Sequence, residues 1–222
     1  MTAAAETGTH SSREVTSLDA RPRVFLRPIG TPLPLGFMAL SATTSILAVV
    51  QLQWIPVSQS QTAAWMALLV AAPLQLLASV FGYWARDPIA GSGMAFLAGT
   101  WALIGISTLL SPPGSTSPGL GVGLLAAAAA LLVPAFSSGG KFVAAGVIGL
   151  AAARFAVTGV YELTSASGWR VAAGAVGLAL GAAALYAAFA YELEGARHRP
   201  VLPVGRIRDV TENGEPGVRR RL

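Results

Sequence analysis

Six long apolar runs fill most of the chain and limit its fold more than any other feature. A helix needs about 20 residues, at about 1.5 Å each, to cross the roughly 30 Å hydrocarbon core of a bilayer. All six runs are about that long, and an ordinary soluble domain has no need for six such stretches. The sequence therefore predicts an all-α membrane protein, a bundle of six transmembrane helices. The predicted spans are 34–54, 62–84, 90–110, 120–136, 142–163 and 169–191.

The composition supports this class. Charged residues make up 11% of the 222 residues, whereas soluble domains carry about 25%. The helices leave no room for a second folded domain. We expect an N-terminal tail at 1–27, a transmembrane domain at 28–205 and a basic C-terminal tail at 206–222. The N-terminal tail is polar and has no apolar period, which is typical of a disordered segment.

The basic residues predict the orientation. If the N-terminus is inside, four segments of the chain are cytoplasmic. They hold four basic residues before the first span, one between spans two and three, one between spans four and five, and seven after span six. Together these are 13 of the 15 Lys and Arg. Lys and Arg mark the cytoplasmic side of membrane proteins. We therefore expect a multi-pass protein of the cell membrane with both termini in the cytoplasm. The net charge of +5 is read as this topology signal and not as a sign of nucleic-acid binding.

The residues that carry enzyme chemistry are missing from the spans. The chain has no Cys, and its two His residues, His10 and His198, fall in the tails. No thiolate or imidazole is thus available within the bilayer to bind a metal or act as a base. Ser92, in an Ala-Gly-Ser-Gly stretch, has no intramembrane His to activate it. The sequence predicts no enzyme activity, no metal and no cofactor.

Arg154 and Gln75 are polar side chains that lie near the middle of apolar spans. Arg154 lies near the middle of span five, where an Arg costs about 2.5–3.5 kcal/mol, so it should face a bundle interior or a wet cavity. It could attract an anion to a pore, snorkel to the interface, or pair with Glu162, about 12 Å further along the helix. Gln75 follows Pro73, which is expected to perturb the helix. Its amide is predicted either to join helices or to line a pore.

Small residues indicate how closely the helices pack, and aromatic residues indicate where the protein meets the membrane interface. Gly174, Gly177 and Gly181 along span six favour close helix packing. Four of the five tryptophans lie near span ends and are predicted to anchor the protein at the interface, while Trp101 lies within span three.

Two segments resemble one family. Thr31-Pro32-Leu33-Pro34-Leu35-Gly36-Phe37, followed by Thr43-Thr44, is similar to the Asn-Pro-Ala-Pro-Leu-Gly-Leu signature of the acetate uptake transporter family, the acetate–succinate transporters also called YaaH or SatP. Val201-Leu202-Pro203-Val204-Gly205 resembles the family's Val-Leu-Pro-Ile-Gly ending. Between them, Gln75, Tyr83 and Trp101 fall on family residues of the same type. The matched signature positions are Pro32, Pro34, Leu35 and Gly36.

The resemblance implies a six-helix protomer similar to the urea/amide channels, assembled as a homo-hexamer with one pore per protomer. The family's pore narrows at three side chains from helices one, three and five. These fall on Leu40, Leu97 and Leu150 here, with Leu97 replacing a family Tyr. Arg154 has no counterpart in the family pattern. The polar or charged candidates for the pore are Gln75, Arg154, Thr43 and Thr44.

The function that this resemblance implies is a transporter or channel for small monocarboxylates, acetate foremost and succinate as a further candidate. Its partners would be a small carboxylate and the lipid bilayer. Two alternatives stay open: a non-transporting scaffold or sensor, and a pore for neutral amides or ammonia. Proton coupling also stays open, since no Asp, Glu or His lies deep in a span.

The topology can be tested because the chain has no native Cys. Single cysteines at Ser58, Ser115 and Ser165 should react with an impermeant maleimide in intact cells, because these positions lie in connections predicted to be outside. Cysteines at Ser12 and Thr211 should react only after the cells are opened. Labelling of the last two in intact cells would overturn the orientation.

Overall fold

The computed structural model describes residues 30–137, 140–197, 199 and 201–205. Within them all regular structure is helical, and six helices are long and apolar enough to cross a membrane, which confirms the predicted fold class. The two tails predicted at 1–27 and 206–222 lie outside the described residues. The helices are α1 Leu33–Gln51, α2 Val57–Trp84, α3 Ile89–Leu110, α4 Pro118–Phe136, α5 Phe142–Thr164 and α6 Ser167–Arg197.

The six helices close into a ring. Each helix packs against the helix before it and the helix after it, and α6 packs extensively along α1. Consecutive helices run in opposite directions because short connections join their ends. The odd-numbered helices therefore run one way and the even-numbered helices the other. The ring has an interior face on every helix, and that face is where a functional site can form.

Two helices end differently from the predicted spans. The first ends at Gln51 because Gln53 has a left-handed φ of 59°. The amides of Gln53 and Trp54 turn back to the carbonyls of Val50 and Val49, both at 3.0 Å, in the usual geometry of a helix C-terminus. The sixth helix continues beyond residue 191 to Arg197. The early end of α1 places Gln51 in its last turn.

A proline changes the middle of α2. Pro73 has no N–H to donate, so the regular ladder of hydrogen bonds is broken one turn earlier. The helix widens into a π-helical turn at Ala67–Ala71 just before this proline. A second π-helical turn, Ile89–Gly93, opens α3. There the hydroxyl of Ser79 donates to the carbonyl of Gly91 at 2.7 Å and ties α2 to α3.

Glycines let the helix backbones touch. A Cβ on Gly159 would lie 2.8 Å from the carbonyl oxygen of Gly121, and a Cβ on Gly121 would lie 2.8 Å from the carbonyl oxygen of Gly159. The helices α4 and α5 therefore cross at this pair. A Cβ on Gly174 would lie 2.6 Å from Leu52 Cγ. The predicted close packing along span six is thus present between α6 and α1.

One end of the ring is tied by polar contacts. Lys141 Nζ lies 2.8 Å from Asp87 Oδ2 and joins the connection before α3 to the one before α5. At the same end the family-like C-terminal segment folds back on α5. The amide of Val143 donates to the carbonyl of Val204 at 3.4 Å, and the Tyr186 hydroxyl donates to the carbonyl of Pro203 at 2.9 Å.

The crossing of α4 and α5 can be tested with one methyl group. Gly159→Ala should lower the melting temperature in detergent, because the new Cβ meets backbone and overpacking costs about 1–3 kcal/mol. The matched control is Gly146→Ala on the same helix, where no atom of another described helix lies within 4 Å of the added Cβ. It should be neutral or stabilising, since Ala favours a helix over Gly by about 1 kcal/mol. Equal melting temperatures for the two variants would contradict the crossing.

Candidate functional site: a vestibule and the interior of the helix ring

A cavity of about 150 Å³ opens at the end of the ring where the odd-numbered helices finish. It lies on the side that the charge bias predicts to be outside, and we refer to it as the vestibule. All six helices contribute to its wall, in which ten of the sixteen lining residues have polar side chains. The cavity is roomy enough for several waters or a small organic ion. One lining residue from each helix, in chain order, is Gln51, Ser60, Thr108, Leu120, Tyr161 and Arg170.

The three leucines predicted from the resemblance lie on the same helix faces as residues that line the vestibule. On each odd-numbered helix, one leucine lies eleven residues before a vestibule-lining residue. Eleven residues make about three turns, or about 16 Å, so residues at this spacing lie on one face. The pairs are Leu40 with Gln51, Leu97 with Thr108, and Leu150 with Tyr161.

The three leucines also lie at matching depth. Leu40 is the eighth residue of α1, and Leu97 and Leu150 are the ninth residues of α3 and α5. Leu40 and Leu97 are fully buried, and Leu150 is half-buried against the same core. We refer to these residues as the leucine layer. Their positions along the helices put them at a similar depth, about three turns from the residues that line the vestibule.

A polar level lies between the leucine layer and the vestibule. Thr43, Trp101 and Arg154 follow the three leucines by three or four residues and so share their helix faces. Their exposed fractions are 0%, 0% and 1%. We refer to these three residues as the donor layer. The Trp101 ring packs edge-on against Phe155, with ring centroids 5.7 Å apart, which links α3 to α5 beside Arg154.

Arg154 is held inside the ring and does not snorkel. Its Nη1 donates to Gln51 Oε1 at 2.6 Å and to the carbonyl of Ala173, so the guanidinium joins α5 to α1 and α6. Gly177 makes space for it, because a Cβ there would lie 2.7 Å from Arg154 Cζ. Pairing with Glu162 does not occur. That carboxylate accepts the amide of Ser117 at 2.8 Å instead.

The donor layer keeps hydrogen-bonding capacity that the protein does not use. Arg154 Nη2, Trp101 Nε1 and the Thr43 hydroxyl are buried without a protein partner among the described residues. Most buried polar groups in proteins are hydrogen-bonded, so these three atoms need a physical reason. The hydroxyl of Thr44 is also without a partner, but its methyl group faces Gly181 of α6 at the helix contact.

Gln75 and the signature segment meet at the first turn of α1. Gln75 Nε2 donates to the carbonyl of Gly36 at 3.3 Å, while its Oε1 has no partner among the described residues. Gly36 also faces Met94, whose Sδ would lie 2.5 Å from an added Cβ. Gln75 therefore joins α2 to α1. Pro32, Pro34 and Leu35 place Gly36 in the first turn of α1, at the crossing of three helices.

Sequence reasoning missed two residues of this interior. Gln51 lay at the end of a predicted span, and its contact with a residue 103 positions later has no sequence signal. Trp101 did give a signal, because it was the one tryptophan placed inside a span. The other four are 44–68% exposed on the surface of the ring, as expected of anchors, whereas Trp101 is fully buried.

The ring matches a solved structure. The bacterial acetate channel SatP superposes on this chain with a TM-score of 0.69 at 23% sequence identity, over 79% of this chain and 99% of that chain. The shared architecture supports, at the level of the fold, the resemblance indicated by the two signature segments. No protein-family model and no curated protein sequence matches the chain.

The inward position of Trp101 predicts its fluorescence. A variant that retains only Trp101 should be quenched weakly by brominated lipids, because the ring of helices separates its indole from the acyl chains. A variant that retains only Trp65, which is 51% exposed, is the control and should be quenched strongly. Equal quenching of the two variants would place Trp101 at the lipid-facing surface and remove it from the interior.

Proposed function

We propose that this chain is a transmembrane channel or transporter for small monocarboxylates, with acetate as the foremost substrate and succinate as a further candidate. The observation that carries the proposal is the alignment of the leucine layer, the donor layer and the vestibule on the inward faces of α1, α3 and α5. A closed bundle without transport function has no need for a stacked vestibule, polar level and apolar level. The fold shared with an acetate channel supports the same proposal.

The three levels suit the passage of a small organic acid. The vestibule collects the solute, and the donor layer supplies hydrogen bonds. The leucine layer acts as the narrowest point, where an apolar constriction limits the passage of water and of hydrated ions. Leu40, Leu97 and Leu150 are the proposed constriction. Thr43 and Arg154 are the proposed polar contacts, whereas Gln75 and Thr44 act at helix contacts.

We also propose the setting in which the protein works. The charge bias favours the cell membrane with both termini in the cytoplasm. The resemblance favours a homo-hexamer in which each protomer has its own pore. The large apolar side chains exposed on the outer face of the ring suit contact with lipid or with a neighbouring protomer. Neither the fold nor the site calls for a cofactor.

Acetate flux tests the function directly. Purified full-length protein in liposomes should take up radiolabelled acetate in a saturable manner, because a site of defined capacity precedes the constriction. Empty liposomes are the control for passive entry of the acid. Saturable urea flux without acetate flux would favour a pore for neutral amides. A folded protein that carries neither acetate, succinate nor urea would favour a scaffold.

A matched pair of variants ties this flux to the interior. Leu97→Ala should raise the uptake of butyrate relative to acetate, because removing a buried isobutyl group widens the constriction. Leu69→Ala on α2 is the control, since Leu69 is 67% exposed on the outer face of the ring. It should leave the butyrate-to-acetate ratio unchanged. The same ratio in both variants and the wild type would place the constriction elsewhere.

A further inference from the structure

The donor layer has the composition of an anion site. Its unused atoms are a guanidinium nitrogen of Arg154, the indole nitrogen of Trp101 and the hydroxyl of Thr43, and each side chain is 99–100% buried. The guanidinium and the indole can only donate hydrogen bonds, and the hydroxyl can donate one. Donors buried without acceptors are costly. The level is therefore complementary to a ligand that brings acceptors.

The charge of Arg154 determines whether the donor layer prefers a charged or a neutral ligand. A guanidinium keeps its charge at physiological pH. Among the described residues, no carboxylate lies within ion-pair distance of it, and its protein partners are the amide oxygen of Gln51 and the carbonyl of Ala173. Both partners are neutral. A buried cation with only neutral partners attracts an anion more strongly than it attracts a neutral solute of the same shape.

Gln51 shows where such an anion would bind. Its side chain lines the vestibule, and its Oε1 lies 2.6 Å from Arg154 Nη1. The amide oxygen thus occupies a position that a carboxylate oxygen can take, directly below the space through which a solute enters. A carboxylate carries a full negative charge and can accept from a guanidinium through both of its oxygens, whereas the Gln51 amide offers one neutral oxygen, so a carboxylate can displace this oxygen.

We propose that Arg154, Trp101 and Thr43 form a binding site for a small carboxylate in its ionised form, with Gln51 as the side chain that occupies Arg154 until the carboxylate arrives. The carboxylate takes the free hydrogens of Nη2 and replaces the Gln51 oxygen at Nη1. The inference rests on the proposed function and deepens it, because it makes the anion, and not the neutral acid, the species that enters the interior of the helix ring.

Acetate and acetamide separate charge from shape, since they are nearly isosteric and only acetate is ionised at neutral pH. Both uptakes are measured at neutral pH with full-length protein in liposomes. Arg154→Gln should lower acetate uptake by at least about tenfold, the scale expected for loss of a charge-assisted hydrogen bond, and leave acetamide uptake nearly unchanged. Arg154→Lys should keep part of the acetate uptake, because the charge survives without the planar fork.

Two matched pairs test the neighbours of Arg154. Trp101→Phe removes the indole N–H and should lower the acetate-to-acetamide ratio, while Trp65→Phe on the outer face should not. Gln51→Glu tethers a carboxylate at the guanidinium and should suppress acetate uptake. The control is Gln53→Glu, which adds the same charge at an exposed residue that accepts from Arg170 Nη2 at 2.9 Å. It should retain most of the uptake.

A binding measurement covers the case in which flux fails. Acetate, and not acetamide, should raise the melting temperature of the wild type, and this shift should vanish in Arg154→Gln. Wild-type protein that shows the shift without flux would refute the proposed transport and keep the site. Equal acetate uptake in wild type and Arg154→Gln at matched insertion would refute the site alone. Acetate and acetamide uptake falling in parallel would also refute it, because Arg154 would then act only in packing.

Discussion

The close approach of helix backbones at glycine is the contact on which the rest of this structure depends. Between helices in a bilayer there is no hydrophobic driving force, so dispersion contacts and interhelical hydrogen bonds must hold the bundle. Dispersion contacts and interhelical hydrogen bonds both require the two helix backbones to lie close together. The reciprocal contact of Gly121 and Gly159 provides one such crossing, and Gly82 provides another, since a Cβ there would lie 2.5 Å from the amide nitrogen of Gly91. These crossings let six helices close into a ring.

Close approach also brings main-chain carbonyls within reach of side chains on neighbouring helices. The Ser41 hydroxyl donates to the carbonyl of Gly181 at 2.8 Å, and Gln75 and Ser79 donate to carbonyls of Gly36 and Gly91 in the same way. Polar side chains between the helices therefore find acceptors in the neighbouring backbone. The donor layer is different because, among the described residues, no neighbouring carbonyl accepts from Arg154 Nη2, Trp101 Nε1 or the Thr43 hydroxyl. Its lack of partners follows from its place in the interior.

The number and class of the helices could be predicted because each span is a local feature of length and apolar composition. The three leucines proposed as the constriction were singled out only through a resemblance, since three leucines in apolar helices carry no signal of their own. The contact of Arg154 with Gln51 could not be predicted, because it joins residues that are distant in sequence and depends on where α1 ends. A left-handed residue at position 53 fixes that end, and sequence patterns do not mark Gln for this conformation. The π-helical turn before Pro73 is similar: the proline indicates a disturbance but not its form.

Two departures from the family pattern acquire a joint physical meaning in this ring. Leu97 stands where the family has Tyr, so the apolar level of the interior loses a hydroxyl that could bond a carboxylate. Arg154, which has no family counterpart, adds a donor about one turn nearer the vestibule, on the same face of α5 as Leu150. A charge placed at the constriction itself would bind too firmly for rapid exit. The guanidinium is set one turn away, beside Gln51 and the space made by Gly177, so in the proposed mechanism it selects the solute while the leucines limit its passage. Under this proposal, the separation of selection from constriction gives a physical reason for a buried arginine in an otherwise apolar helix.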